Sequence, residues 1–347
     1  MSVDDGSPKP GQEARPFASL SLDLDNLWAY MMTHGDPGWE AYPSYLEALS
    51  QVVVDQLGRR RVTLTVFVVG RDASLEVNRP ALQRLAAQGH EIGNHSFSHE
   101  PWFHTFSRER TEREIADAEG HIEAATGRRP RGFRGPGFSL TAGILEVLAA
   151  RGYDYDATTY PTFLGPLARA YYLRHAPDLE GEELARRSAL FGSWRDGLRP
   201  LRPYRWAVAG RDLVEVPVTT MPIFRTPIHM SYLIHLAGLS RPLARLYLEI
   251  ALTLARLGRV NPSFLLHPLD FLGGDRVTEL GFFPGMAQPT ARKLELVDWA
   301  LRRLGERFET VTVGEHARRA LLGDLPLRPP PAEADVQGRS VEAGPGS

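Results

Sequence analysis

The chain of 347 residues contains no cysteine. That excludes a disulfide framework, a CxxC redox pair, a cysteine zinc finger and a thiolate nucleophile. Lysine is almost missing too: Lys9 and Lys293 are the only ones, so 38 of the 40 basic residues are arginine. The 42 acidic residues bring the formal net charge to -2, which argues against a dedicated nucleic-acid binder. No run of roughly 18 apolar residues occurs, so no membrane-spanning helix is expected. The stretch up to Pro16 carries Asp4, Asp5 and Glu13 and lacks the basic start and apolar centre of a signal peptide. A soluble cytoplasmic protein is therefore expected. With 43% hydrophobic and 9% aromatic residues, the chain has ordinary material for a large core.

Both ends read as disordered tails, residues 1–16 and 324–347, the latter through Pro326 and Pro329-Pro330-Pro331. Between them strand-like segments (18–25, 62–69, 90–94, 131–134, 213–218, 262–267, 308–312) alternate with helix-like ones (43–57, 79–88, 109–126, 140–151, 241–257, 287–304). Such alternation argues for βα units and a mostly parallel sheet in one α/β domain, 17–323. Two stretches interrupt it and read as insertions: about 157–212, rich in Arg, Pro and aromatics, and about 219–258, rich in leucine.

Four segments carry candidate chemistry. In Leu20-Ser21-Leu22-Asp23-Leu24-Asp25 the period is two, so both carboxylates share one face, about 7 Å apart at Cα. Buried together they need a cation nearby; one acid would bind a metal and the other act as a base. The plainer reading is a strand end with two solvated acids. In His95-Ser96-Phe97-Ser98-His99 the two imidazoles converge on one cation if the segment turns as a helix. Arg134 precedes Gly135-Pro136-Gly137, a tight backbone where an arginine can hold a carboxylate. Finally, the apolar strand Ser263-Phe264-Leu265-Leu266 ends in His267-Pro268.

In this order and at strand C-termini, these motifs resemble the polysaccharide deacetylase family (carbohydrate esterase family 4, the NodB-homology domain). Thr65–Gly70, Gly89–Asn94, Gly152–Asp156 and Phe308–Thr312 are similar to its other strands. The resemblance implies a distorted (β/α) barrel of about seven strands. It implies Asp25, His95 and His99 as ligands of one divalent metal, zinc first, with cobalt, manganese or nickel as alternatives. It also implies Asp23 as general base, Arg134 orienting Asp23, His267 as general acid, and Pro136 and Gly137 at the bound acyl group. The implied reaction removes an N-acyl group, acetyl first, from an amino sugar in a polysaccharide, oligosaccharide or lipid-linked glycan. A related non-sugar amidase or deformylase, or an inactive sugar-binding homologue, are the alternatives.

The sequence departs from the family pattern in three places. Leu24 separates the two acids, Gly137 stands where an aromatic is common, and no clear acid tunes His267, with Asp156 and Glu215 as candidates. Trp28, Trp194, Tyr30 and His34 are candidates to line a sugar cleft, with packing as the other reading. The leucines of 228–258 read as a helix pair packed on the barrel or in a dimer; contact with a lipid surface is the alternative.

Overall fold

The computed structural model describes residues 15–165, 194–208 and 212–331. Its strands are β1 (Phe17–Asp23), β2 (Thr65–Val68), β3 (Glu91–Asn94), β4 (Gly132–Phe133), β5 (Tyr155–Asp156), β6 (Tyr204–Trp206), β7 (Leu213–Glu215), β8 (Ser263–Leu266), β9 (Glu309–Val311) and β10 (Leu327–Arg328). They form one sheet in the order β10-β6-β7-β5-β4-β3-β2-β1-β8, with β9 also on β1. All pairings are parallel except β6 with β7. The sheet curls until the segment after β7 reaches β8. There the Thr219 N–H donates to the Ser263 carbonyl at 3.0 Å, and the Ser263 N–H donates to Thr219 Oγ1 at 2.7 Å. The result is an incomplete barrel with a bridged seam, in line with the expected fold class.

The period-two reading of β1 describes the two sides of this wall. Leu20, Leu22 and Leu24 point outward into the main apolar core, with Leu49 and Val53 of the helix Leu46–Gly58 and Leu301 of the helix Thr290–Arg307. Ser19, Ser21 and Asp23 point into the barrel, which holds polar groups that bond one another. Ser19 Oγ meets His316 Nδ1 at 2.8 Å, and the Tyr155 hydroxyl donates to Glu91 at 3.0 Å. The interior is tight: a Cβ on Gly132 would lie 1.9 Å from the Tyr155 ring, so only glycine fits there.

The expected strands are all present, trimmed at their ends. β6 and β10 were not expected, since two or three residues carry too little periodicity. The helices Leu27–His34, Gly70–Ser74 and Val313–Ala320 were likewise missed; each is only five to eight residues long. The proposed tails lie mostly outside the described residues. At the C-terminal boundary, however, β10 pairs with Arg205-Trp206, so the folded chain runs past the expected limit at 324. The insertion 157–212 also lies partly outside the described residues. Among the described residues, no helix is long and apolar enough to cross a membrane.

Two buried histidines make this fold acid-sensitive. Burial, then the charge of Arg319, pushes His316 down to about 3; burial, then Arg128, pushes His90 down to about 4. Both fall below the unfolded value of about 6.5, so the unfolded chain binds protons first as pH falls. Their contribution to stability is present above about 6.5 and is lost from there downward. Denaturant unfolding is expected to show about 2 kcal/mol lost per histidine between about pH 7 and pH 5. His316→Gln should flatten that dependence; an unchanged pH slope in this variant refutes the assignment.

Candidate active site

Four candidate residues stand at the C-terminal ends of barrel strands, where α/β proteins place their sites. Asp23 ends β1, His95 follows β3, Arg134 follows β4 and His267 follows β8. Both acids of the first motif are buried, Asp23 at 4% and Asp25 at 9% exposure, which rules out the solvated strand end.

Asp25, His95 and His99 form a cluster whose ligand atoms all lie within 4.8 Å of one another. Asp25 Oδ1 is 3.3 Å from His95 Nε2 and 3.0 Å from His99 Nε2. Burial raises the Asp25 carboxyl, but the facing His99 and His95 outweigh it and hold it well below the usual range. His95 Nδ1 lies 2.6 Å from the Arg134 carbonyl oxygen. An Nδ1–H donated there leaves the Nε2 lone pair facing Asp25. The Asp25 Oδ1 atom is buried, with no hydrogen-bond partner among the described residues besides these two imidazoles. One carboxylate oxygen and two imidazole nitrogens facing one point suit a divalent cation and leave further coordination positions open.

The histidines converge, but not on a helix. After β3 the chain makes an irregular turn, with Ser96 at φ 62° and His99 at φ 50°, both in the left-handed region. Asn94 Oδ1 accepts the Ser96 N–H at 2.8 Å. Glu114, from the helix Arg108–Thr126, accepts the Phe97 and Ser98 N–H groups at 3.1 and 2.9 Å and the Ser98 hydroxyl at 2.6 Å. Sequence reasoning missed Glu114, which sits on a helix rich in exposed Glu and Arg.

Arg134 holds the other acid. Its side chain is fully buried; Nη1 donates to Asp23 Oδ1 at 2.6 Å and to Ser21 Oγ at 2.8 Å, and Nε donates to the Ala157 carbonyl at 2.8 Å. Phe67 lies flat under the guanidinium, 4.4 Å from its carbon. Asp156 and Glu215 lie on the adjacent strands β5 and β7, bonded to each other. Burial and then the Asp156 charge push Glu215 well above the carboxylate range, so the pair holds a proton. Thr159 N–H and Trp206 Nε1–H donate to Glu215, each at 2.8 Å. Neither acid contacts His267, so the suggestion that one of them tunes it is not met.

His267 has other neighbours. Its Nδ1 lies 3.0 Å from Ser231 Oγ, at the start of the helix Met230–Leu239, and its backbone N–H donates to Asp270 Oδ2 at 2.7 Å. Ser231 also bonds Asp270. An aromatic wall leads here from Gly137: Phe138 stacks on Tyr160 at 4.7 Å, Tyr160 faces His229 at 6.0 Å, and His229 faces His267 at 5.9 Å. Phe138 supplies an aromatic one residue beyond the glycine. Tyr30 reaches the acids: burial, then Asp25, raises its hydroxyl well above its usual range.

Trp28 is corrected. It is 1% exposed and its Nε1–H donates to Asp72 at 2.9 Å, so it packs the wall and offers no face to a sugar. Trp194 is exposed at the surface, and Pro136 is buried in the turn that carries Gly137, at φ 56°. His34 stacks on Phe282 at 3.6 Å.

A mostly parallel sheet curled into an incomplete barrel, with its acids, imidazoles and arginine gathered at one rim, defines an α/β protein of the (β/α)-barrel type. Residues 36–155 match the family model of polysaccharide deacetylases. The chain matches that model over less than half of its length. It is 39% identical over 74 residues to a chitooligosaccharide deacetylase of Sinorhizobium fredii, a match covering 21% of this chain and 33% of that protein. Its fold is similar to the crystal structure of a Mycobacterium smegmatis protein described as a polysaccharide deacetylase. That likeness has a TM-score of 0.54 and 16% identity, covering 92% of this chain and 98% of the other.

Proposed function

We propose that the protein is a metal-dependent hydrolase that removes the N-acyl group, acetyl first, of an amino sugar in a glycan. The observation that carries this reading is the buried Asp25–His95–His99 cluster next to an acid, Asp23, clamped by Arg134. When bound, a divalent cation supplies Lewis-acid polarisation of a carbonyl and acidifies water. Asp25, His95 and His99 would hold it. Arg134 fixes Asp23 Oδ1, which leaves Oδ2 to take a proton from water as general base. His267, held at Nδ1 by Ser231, has Nε2 free to protonate the leaving amine. The Phe138–Tyr160 stack offers apolar ring surface beside the acyl position.

The test is elemental analysis of the purified protein together with acetate release from N-acetylated chitooligosaccharides and other N-acyl sugars. Stoichiometric divalent metal and chelator-sensitive release are expected. Undiminished turnover by protein stripped of metal would sink the reading. Ser231 is a positioning residue in this scheme. Ser231→Ala should lower kcat about fivefold, the loss of about one hydrogen bond, with KM nearly unchanged and the acid-dependent limb of the pH–rate profile displaced. An unmoved profile would assign Ser231 to packing alone.

A further inference from the structure

The helix Arg241–Leu257 packs Ala244, Leu248, Ala251, Leu252 and Ala255 against the barrel, as the plainer reading of the leucine-rich stretch expects. Its opposite face is not polar. Leu243, Leu246, Ile250 and Leu257 stand 49%, 57%, 43% and 77% exposed in one stripe at helical spacing. A helix packed on a soluble domain ordinarily places charged residues there.

A second apolar feature rises beside it. Ile223 and Phe224 are 75% and 61% exposed at a loop tip. The Met221 N–H donates to the Thr226 carbonyl at 2.7 Å, and the Arg225 N–H to the Met221 carbonyl at 2.8 Å. Ile223 and Arg225 are held at φ 74° and 56°, a backbone that a β-branched residue rarely adopts. Met221 packs with Ala251 and Leu254, and the Tyr247 hydroxyl donates to Thr226 Oγ1 at 2.6 Å, so tip and helix stand side by side.

Three arginines stand around them. Arg225 donates to the Arg199 carbonyl, Arg245 lies over Trp299, and Arg256 donates to the Arg307 carbonyl. Among the described residues none of the three is ion-paired to a carboxylate. Glu249, the only acid of this helix, is turned to Arg303 and Arg307 on the neighbouring helix.

We infer that this face is an interfacial surface that docks on an anionic lipid bilayer. Apolar side chains enter the acyl boundary while the guanidinium rim meets the headgroups. A symmetric contact between two copies is disfavoured, because it would bring the same arginine rim onto itself. The loop that carries the tip continues through Ile228 and His229 to Ser231 at His267. On the hydrolase reading above, docking therefore brings the site to a lipid-anchored glycan.

The experiment is flotation of the full chain with phosphatidylglycerol–phosphatidylcholine vesicles and with phosphatidylcholine alone, with light scattering in parallel. The protein should float only with the anionic vesicles and be released by salt. The pair Leu246→Glu with Ile250→Glu, and separately Ile223→Ser with Phe224→Ser, should each weaken binding about tenfold or more, with thermal unfolding and metal content unchanged. Failure of the unsubstituted chain to float, or flotation unaffected by both pairs, overturns the inference. A dimer that the Leu246/Ile250 pair dissociates, without flotation, also overturns it and assigns the face to a second copy. Vesicle binding is read without turnover, so it stands or falls apart from the hydrolase reading.

Discussion

Alanine at His95 or Asp25 is expected to abolish stoichiometric metal binding and to lower turnover on the order of 10³-fold. Each residue supplies one of the converging atoms, and Asp25 Oδ1 is the one that faces both imidazoles, at 3.3 and 3.0 Å. With His95 gone, a single imidazole and one carboxylate remain, too few donors for a closed site. Elemental analysis after gel filtration reads the first effect and acyl release the second. Metal content unchanged in both variants would remove the cluster from the mechanism. Glu114 gives a graded control. It holds the 97–98 backbone from outside the cluster, so Glu114→Gln should weaken metal affinity roughly 10–100-fold while keeping the ligands.

Arg134→Met should be the most damaging single change to stability. The guanidinium is fully buried and bonded to Asp23 at 2.6 Å. Removing it leaves a buried carboxylate without its cation, which costs about 3–5 kcal/mol. It also takes a positive charge from beside the Asp156–Glu215 pair, where burial already disfavours charge. Asp23→Asn alone should keep the metal and lose turnover by roughly 10²–10⁴-fold, the usual contribution of a general base. Combined with Arg134→Met it should be less destabilising than the two effects added, since no charge is then left unpaired. Denaturant unfolding of the four proteins measures this coupling. Strict additivity would show that the pair does not interact, and full activity of Asp23→Asn would reject it as base.

Much of this site was legible because strand ends leave local marks. Alternation in β1 put Asp23 and Asp25 on one face, and the strand-like segments ending near Asn94, Phe133 and Leu266 marked where His95, Arg134 and His267 follow. The route by which the histidines meet was misread. A helical turn was expected, whereas Ser96 and His99 take left-handed backbone, a conformation their residue types do not announce. The partners of His267 were illegible for a different reason. Ser231 lies 36 positions away and is an ordinary serine on an apolar helix. Asp156 and Glu215 were named as candidates to tune His267, but strand order placed them together behind Arg134. Trp28 was misjudged because an aromatic near a site reads the same whether it faces a ligand or packs.

The absence of cysteine already determined that any metal site here is built without a thiolate ligand. Period-two alternation determined which face of β1 turns inward, because that choice is local and repeats every second residue. Pairing was decided only in three dimensions. Arg134 meets Asp23 across 111 residues because the sheet curls at one register and closes. The same closure leaves the outer stripe of the helix Arg241–Leu257 facing away from the barrel, which no local pattern of leucines could distinguish from a buried face.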